Sequence, residues 1–256
     1  MPLVHFKTGL LAGPSPELHF RDYMLPATLP KVPPIFGHQN LYMPRDWGML
    51  GNDRIGDCAV AGAMHCEKIW NKVVCRDVTF TTDDAISDYS ALTGYVRGDA
   101  STDQGTTIAA LSDYWKKIGF RDFNDNRHKI EAYVALDPTN LEHLFAAAYW
   151  FDGGVGIAVQ IPSSAEAQFL AHQPWSNVHG DKIEGYHFVP LIARLANGNA
   201  GVITWGGFQE VELSWLAQNC NQASAFLSIE DMTNGKSPEG FDLNALQEDL
   251  ETLAIS

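Results

Sequence analysis

The residues of this 256-residue chain best placed to do chemistry begin with Cys58, in the run Asn52-Asp53-Arg54-Ile55-Gly56-Asp57-Cys58-Ala59-Val60-Ala61-Gly62. A glycine turn delivers the thiol onto the first turn of an expected helix, with Asp57 as N-cap. Unpaired N–H groups at a helix N-terminus, together with the helix dipole, favour negative charge, so a thiolate of lowered pKa is expected there. Asn52, six residues upstream, can offer its side-chain amide to an oxyanion. The same features suit a plain core cysteine, since small apolar helix starts often bury one.

A cysteine nucleophile needs a base to take its proton and return it to the leaving group, and histidine is the usual supplier. Of nine histidines, His5, His19 and His38 lie in a proline-rich arm, His128 and His143 sit among charges, and His172 and His179 fall in a polar loop. His187 differs. It follows Glu184-Gly185-Tyr186 and opens Phe188-Val189-Pro190-Leu191-Ile192, a run with the character of a buried strand. An imidazole at the mouth of such a strand is either a satisfied core histidine or a site residue.

The elements that would position these groups read as helices first and strands later. Apolar or small residues at 58, 61, 62, 65, 69 and 73 have helical spacing, and two further helices are expected over 82–94 and 106–117. Beyond Arg121 the pattern changes. Strands are expected over 130–136, 155–161, 186–195, 201–205 and 223–228, with a helix over 140–150 and a hairpin turn at Asn197-Gly198-Asn199. This order implies an α+β protein whose two lobes share a cleft. Residues 1–46, with eight of thirteen prolines and the run Leu29-Pro30-Lys31-Val32-Pro33-Pro34, read as an extended arm; residues 231–256 read as an acidic tail. In that tail, apolar residues at 243, 246, 250 and 253 suit a short amphipathic helix or a frayed end.

Thirty-one acidic against 17 basic residues give a net charge of -14, which argues against nucleic-acid backbones and anionic membranes as partners. Neither a signal peptide nor an apolar run long enough to span a membrane is visible, so a cytoplasmic or virion-associated protein is expected. Four cysteines without a C-x-x-C pair indicate neither a disulfide framework nor a thiolate zinc site.

Taken together, these blocks resemble the papain-like cysteine peptidases of bacterial or phage type. Asn52 to Ala59 is similar to the pattern Q-x-x-x-G-x-C-x-A, with Asn52 in place of the oxyanion glutamine. Gln104-Gly105-Thr106 resembles the segment lining non-primed subsites, Gly156-Ile157-Ala158-Val159 the strand after the central helix, and Gly185-Tyr186-His187-Phe188-Val189 the block bearing the catalytic histidine. Thr204-Trp205-Gly206 resembles the end of N-S-W-G. His187 lies 129 positions after Cys58, beside the roughly 130–150 expected of such enzymes.

The resemblance covers about 44–228. It implies a two-lobed fold over 47–230, with a helical lobe over about 47–125, an antiparallel β-rich lobe over about 126–230, and the site in the cleft between them. It also implies a Cys58/His187 pair acting through a thioester, with Asn52 in the oxyanion hole. Gly56, Asp57, Gln104, Gly105 and Tyr186 would line the substrate, a peptide or amide, and no cofactor or metal is implied.

Three positions depart from the family pattern. Ile203 stands where the family's asparagine orients the imidazole, so the pair works as a dyad, or Thr204, Gln209 or a backbone carbonyl orients the ring, or the site is degenerate. Asn52 is one methylene shorter than the family's glutamine. Ile55 occupies the place of a common structural cysteine. The competing reading from another class is a degenerate scaffold kept for binding or for a structural role in a phage particle. A lesser one is a metal site of Cys58, His65 and Cys66, which helical spacing brings to one face. Trp47, Trp205 and Trp215 read as core or cleft-wall aromatics, with Trp205 placed to shield His187. The arm either packs on the surface or occupies the cleft as an autoinhibitory segment, as pro-regions of this family do.

Overall fold

The computed structural model describes residues 6–11, 13, 31–42, 46–233, 235–240 and 242. His5, His19, the start of the proline run at residues 29 and 30, and nearly all of the expected tail helix lie outside the described residues. After a short strand, β1 (Phe36–Gly37), the first lobe is built by three helices. These are α1 (Cys58–Val73), α2 (Thr82–Thr93) and α3 (Ile108–Lys117).

Their ends follow from local chemistry. Thr81 and Asp84 form a reciprocal capping box at the start of α2, and Gly94 closes it in the left-handed conformation. Thr107 caps α3 through its side chain. Asp57 holds the N-cap position of α1 as expected, but its side chain makes no capping hydrogen bond. The carboxylate turns toward Gly51, where an added Cβ would meet Oδ2 at 2.8 Å, and burial raises its pKa.

A small hairpin, β2 (Phe120–Arg121) and β3 (Arg127–His128), leads into the second lobe. There follow β4 (Ala132–Leu136), α4 (Leu141–Trp150), β5 (Val155–Pro162), α5 (Ala165–Leu170), β6 (Ile183–Arg194), β7 (Ala200–Thr204), β8 (Gly207–Val211), α6 (Leu213–Asn219) and β9 (Cys220–Leu227). The large sheet is antiparallel, in the order β4-β9-β5-β6-β7-β8, with β1 added to β6. The expected turn at Asn197-Gly198-Asn199 joins β6 to β7, closed by the Leu195 N–H on the Asn199 carbonyl. Strand β8 and helices α5 and α6 were not expected from the sequence.

Helix α1 is buried from Cys58 through Asn71, because α2 and α3 cover one side and the sheet the other. Its Trp70 packs with Trp115, Tyr89 and Phe120 and with Phe188 and Phe226 of the sheet in one cluster. Each such buried apolar side chain stabilises by about 1.5–3 kcal/mol relative to exposure. A second core lies between the sheet and α4, α5 and α6, around Trp175 and Trp215. Among the described residues no helix is long and apolar enough to cross a membrane.

Candidate active site

Two elements bring the sequence-nominated pair together. Cys58 opens α1, and His187 lies on β6 opposite Val159 of β5. The helix can lie close to that strand because residue 62 is glycine: a Cβ there would sit 2.5 Å from the Phe188 ring. Cys58, Asn52, His187, Thr204 and Trp205 consequently line one narrow pocket, together with Met49, Gly62, His65, Phe188 and Ile203.

The His187 ring is held on two sides. Its Nε2 lies 2.8 Å from Thr204 Oγ1, and its face stacks on the Trp205 indole at 5.1 Å between centroids and 27° between planes. Nδ1 has no hydrogen-bond partner. With the residue 1% exposed, desolvation pulls the imidazole pKa down to about 3, so the ring is neutral. Sequence reasoning left three candidates to replace the missing asparagine, and the contact belongs to Thr204. Gln209 is corrected: its amide donates to the Gln173 and Glu210 carbonyls and does not meet the ring. Ile203 packs with Trp47, Ile69 and Ile192.

The thiol departs from expectation in sign. The backbone N–H groups of Phe188, Gly9 and Ala59 do face the sulfur and favour a thiolate, as a helix start should. Burial outweighs them, Asp57 adds a like charge, and the Cys58 pKa is pushed up to about 11. Cys58 is 1% exposed. The lowered pKa expected from the motif is therefore not the state of this structure.

The cover is the chain's own residues 6–11. Phe6 stacks on Trp205 at 4.8 Å and meets the Phe169 ring edge-on. Lys7 donates its N–H to the Asn52 carbonyl, and its own carbonyl accepts from Asn52 Nδ2 at 3.3 Å. Leu10 donates to the Tyr186 carbonyl. A parallel bridge to Thr106 follows, with the Thr106 N–H on the Gly9 carbonyl at 2.8 Å and the Leu11 N–H on the Thr106 carbonyl at 2.7 Å. The passage requires glycine on both walls. A Cβ on Gly9 would fall 1.8 Å from the Gly56 carbonyl oxygen, and one on Gly105, at φ +73°, 1.9 Å from the Gly9 oxygen. Gly9 thus turns an N–H to the sulfur and its carbonyl away from it.

The other expected lining residues divide. Gly56, Gly105 and the Tyr186 backbone border the segment, as above. The Gln104 side chain instead donates to the Ser101 carbonyl at the exposed surface, and the Asp57 carboxylate is turned to Gly51. Asn52 Nδ2 also donates to the Ile55 carbonyl at 3.3 Å.

Sequence reasoning missed the support beneath these glycines. The Asp103 carboxylate accepts from the Gly56 N–H and the Tyr89 hydroxyl, while the Tyr89 oxygen accepts from the Gly105 N–H. No spacing signal links 56, 89, 103 and 105, so only the tertiary structure reveals them. The metal reading of Cys58, His65 and Cys66 is corrected: His65 Nε2 meets the Gly48 carbonyl and Cys66 the Gly153 carbonyl, and the three do not form a ligand group.

No family model matches the sequence, and no curated protein does. Solved structures do. The chain is similar to xylellain, a cysteine protease from Xylella fastidiosa, with TM-score 0.60 and 13% identity over 89% of this chain and 99% of that one. It is also similar to proCathepsin B S9 from Trypanosoma congolense, at 0.53 and 10%, covering 86% of each chain. The cysteine protease and lectin-like domains of Cwp84 from Clostridium difficile match at 0.55 and 11%, over 78% of this chain and 53% of that one. At such identities the likeness shows the fold, which is the papain-like α+β fold.

Proposed function

We propose that the protein is a cysteine hydrolase of peptide or amide bonds whose site is covered by its own residues 6–11. Cys58 would be the nucleophile and His187 the base. Nδ1 accepts the thiol proton as sulfur attacks the carbonyl carbon, and the oxyanion is received by the Cys58 N–H and the Asn52 amide. Return of that proton to the leaving nitrogen breaks the C–N bond and leaves a thioester, which water, or an amine in acyl transfer, then resolves. Thr204 fixes the ring, and Trp205 keeps water from its face.

The observation that carries this reading is the state of His187: buried against Trp205, bonded at Nε2 to Thr204, and unpartnered at Nδ1 in the pocket that Cys58 lines. His65 also leaves its Nδ1 open in this pocket, but its Nε2 is spent on the Gly48 carbonyl; His187 differs in having a side-chain hydroxyl at Nε2 and the Trp205 indole against its face. The neighbours that are cysteine proteases agree with the reaction class. The closed arrangement agrees with latency, since Gly9 offers the sulfur its N–H while its carbonyl accepts from the Thr106 N–H.

The test uses the full chain carrying Gly9→Ala, whose added methyl meets Gly56 and displaces the segment. A thiol-directed peptidyl electrophile should then label Cys58 faster than exposed Cys75, and the advantage should vanish in the Gly9→Ala/His187→Ala double variant. Labelling of Cys58 no faster than of Cys75 in Gly9→Ala would sink the enzyme reading in favour of a binding scaffold.

A further inference from the structure

Away from the cleft, four residues from three stretches of the chain converge. His38 lies just beyond β1, Asp152 in the turn between α4 and β5, and Asp231 and Glu239 in the segment after β9. Donor atoms of His38, Asp152 and Glu239 lie within 4.8 Å of one another. The carboxyls of Asp231 and Glu239 both approach that of Asp152 at hydrogen-bond range.

Asp152 is fully buried, and neither of its carboxylate oxygens has a hydrogen-bond donor; one oxygen each of Asp231 and Glu239 is likewise without one. Among the described residues no Lys or Arg pairs with any of the three acids. The His38 Nε2 stands 3.6 Å from Asp152 Oδ1, beyond hydrogen-bond length, so the ring makes no hydrogen bond to that carboxylate. Buried carboxylates are elsewhere paired or bound to metal.

A neighbouring cluster shows the contrast. Glu67 and Glu230 also lie with a histidine, but His128 bonds Glu230 at 2.9 Å, approaches Asp122 at 3.3 Å, and has its pKa raised to about 9, so that group carries its own cation.

We propose that His38, Asp152 and Glu239, with the Asp231 carboxyl against that of Asp152, form a binding site for a divalent transition cation that ties residue 38 and the segment after β9 to the body of the protein. One imidazole with carboxylate oxygens and no thiolate suits Zn²⁺ or Mn²⁺, whereas Ca²⁺ and Mg²⁺ take oxygen donors. Three protein donors, with the Asp231 carboxyl beside them, place the ion where residue 38 and the segment after β9 meet the turn that carries Asp152. None of the four lines the Cys58–His187 pocket, so the site is independent of the proposed hydrolase activity.

The full chain, purified without chelator, should carry about one equivalent of Zn²⁺ or Mn²⁺ by elemental analysis. Chelation should lower Tm by about 5–10 °C, and either ion, but not Mg²⁺, should restore it saturably. Asp152→Asn and His38→Gln should each lose the metal, while Glu67→Gln should keep it. Should Asp152→Asn fail to fold, His38→Gln and the chelation of the unaltered chain still decide. Trace metal only, with a Tm indifferent to chelator and to added Zn²⁺ or Mn²⁺, would overturn the site and leave carboxyls that share protons. Metal retained equally by both variants would overturn the assignment of these ligands.

Discussion

His187 Nε2 and Thr204 Oγ1 lie 2.8 Å apart between neighbouring strands β6 and β7, both residues buried. The hydroxyl occupies the position next to Ile203, so the polar partner of the ring has moved one residue along β7. In Thr204→Val the ring nitrogen loses its partner inside a dry site, a loss of about 1–3 kcal/mol, or on the order of 10–100-fold in rate. Thr204→Ser should retain most activity. The measurement is kcat/KM, or the rate of electrophile labelling, in a Gly9→Ala background. Equal rates for Thr204→Val and the parent would remove Thr204 from the proposed machinery.

The segment over Cys58 should be separable from the fold beneath it. Phe6→Ala removes the stack on Trp205, and deletion of residues 1–11 removes the whole cover. Cys58 labelling should rise in the order parent, Phe6→Ala, deletion. The pH at half-maximal labelling should move down from about 11, because the burial that raises the thiol pKa is withdrawn while the Phe188 and Ala59 N–H groups remain. An unchanged profile in the deletion variant would assign the raised pKa to the walls of the pocket.

Much of this was legible in the sequence, for reasons that can be named. Helices α2 and α4 carry their own caps, Thr81 with Asp84 and Asn140 on the His143 N–H, so local chemistry marks where they begin. Strands β5 and β6 announce themselves as apolar runs, and Asn197-Gly198-Asn199 joins β6 to β7. Cys58 stood out at a helix start and His187 at the head of an apolar run, although β6 itself begins four residues earlier, at Ile183.

What was hidden depends on distance along the chain. The contacts of residues 6–11 with 52–56, 105–106 and 185–186 leave no periodic trace, and a Gly at 9 reads as any loop glycine. Strand β8 begins directly after the Trp205-Gly206 turn, at φ +45° and +71°, and its short polar-apolar alternation is lost beside the motif that precedes it. The thiol pKa failed for a further reason: the helix start is local and favours the anion, whereas the burial that wins comes from tertiary packing, which no local pattern announces.

His128 should give the fold a pH signature of definite sign. Burial lowers its pKa, but the Glu230 hydrogen bond and charge, with Glu67 and Asp122, outweigh it and raise the value from 6.5 to about 9. The folded state therefore holds a proton that the unfolded chain releases above pH 6.5. The stabilisation is fully present below pH 6.5 and is lost as pH rises through about 9. In thermal melts, His128→Gln should lower Tm most at pH 6, by an amount corresponding to about 1–3 kcal/mol, and least at pH 10. A Tm difference that grows with pH would contradict the charged pair.

Gly62 sets how closely α1 approaches β6, and so where Cys58 stands relative to His187. In Gly62→Ala the new methyl, 2.5 Å from Phe188 Cδ1, must push against a ring that also touches Gly156, where a Cβ would be 2.2 Å away. The ring is held between Gly62 and Gly156, so the helix is expected to shift. Alanine's better helix propensity, worth about 1 kcal/mol, works against this overpacking, which costs about 1–3 kcal/mol. The net stability change should be small, no more than about 2 kcal/mol or roughly 4–8 °C in Tm for a chain of this size. The reactivity change should be large. In the Gly9→Ala background, Gly62→Ala should slow Cys58 labelling by more than its Tm shift would account for, while Cys75 labelling stays constant. A variant that loses stability yet labels at the parental rate would show that the α1–β6 spacing does not control the pair.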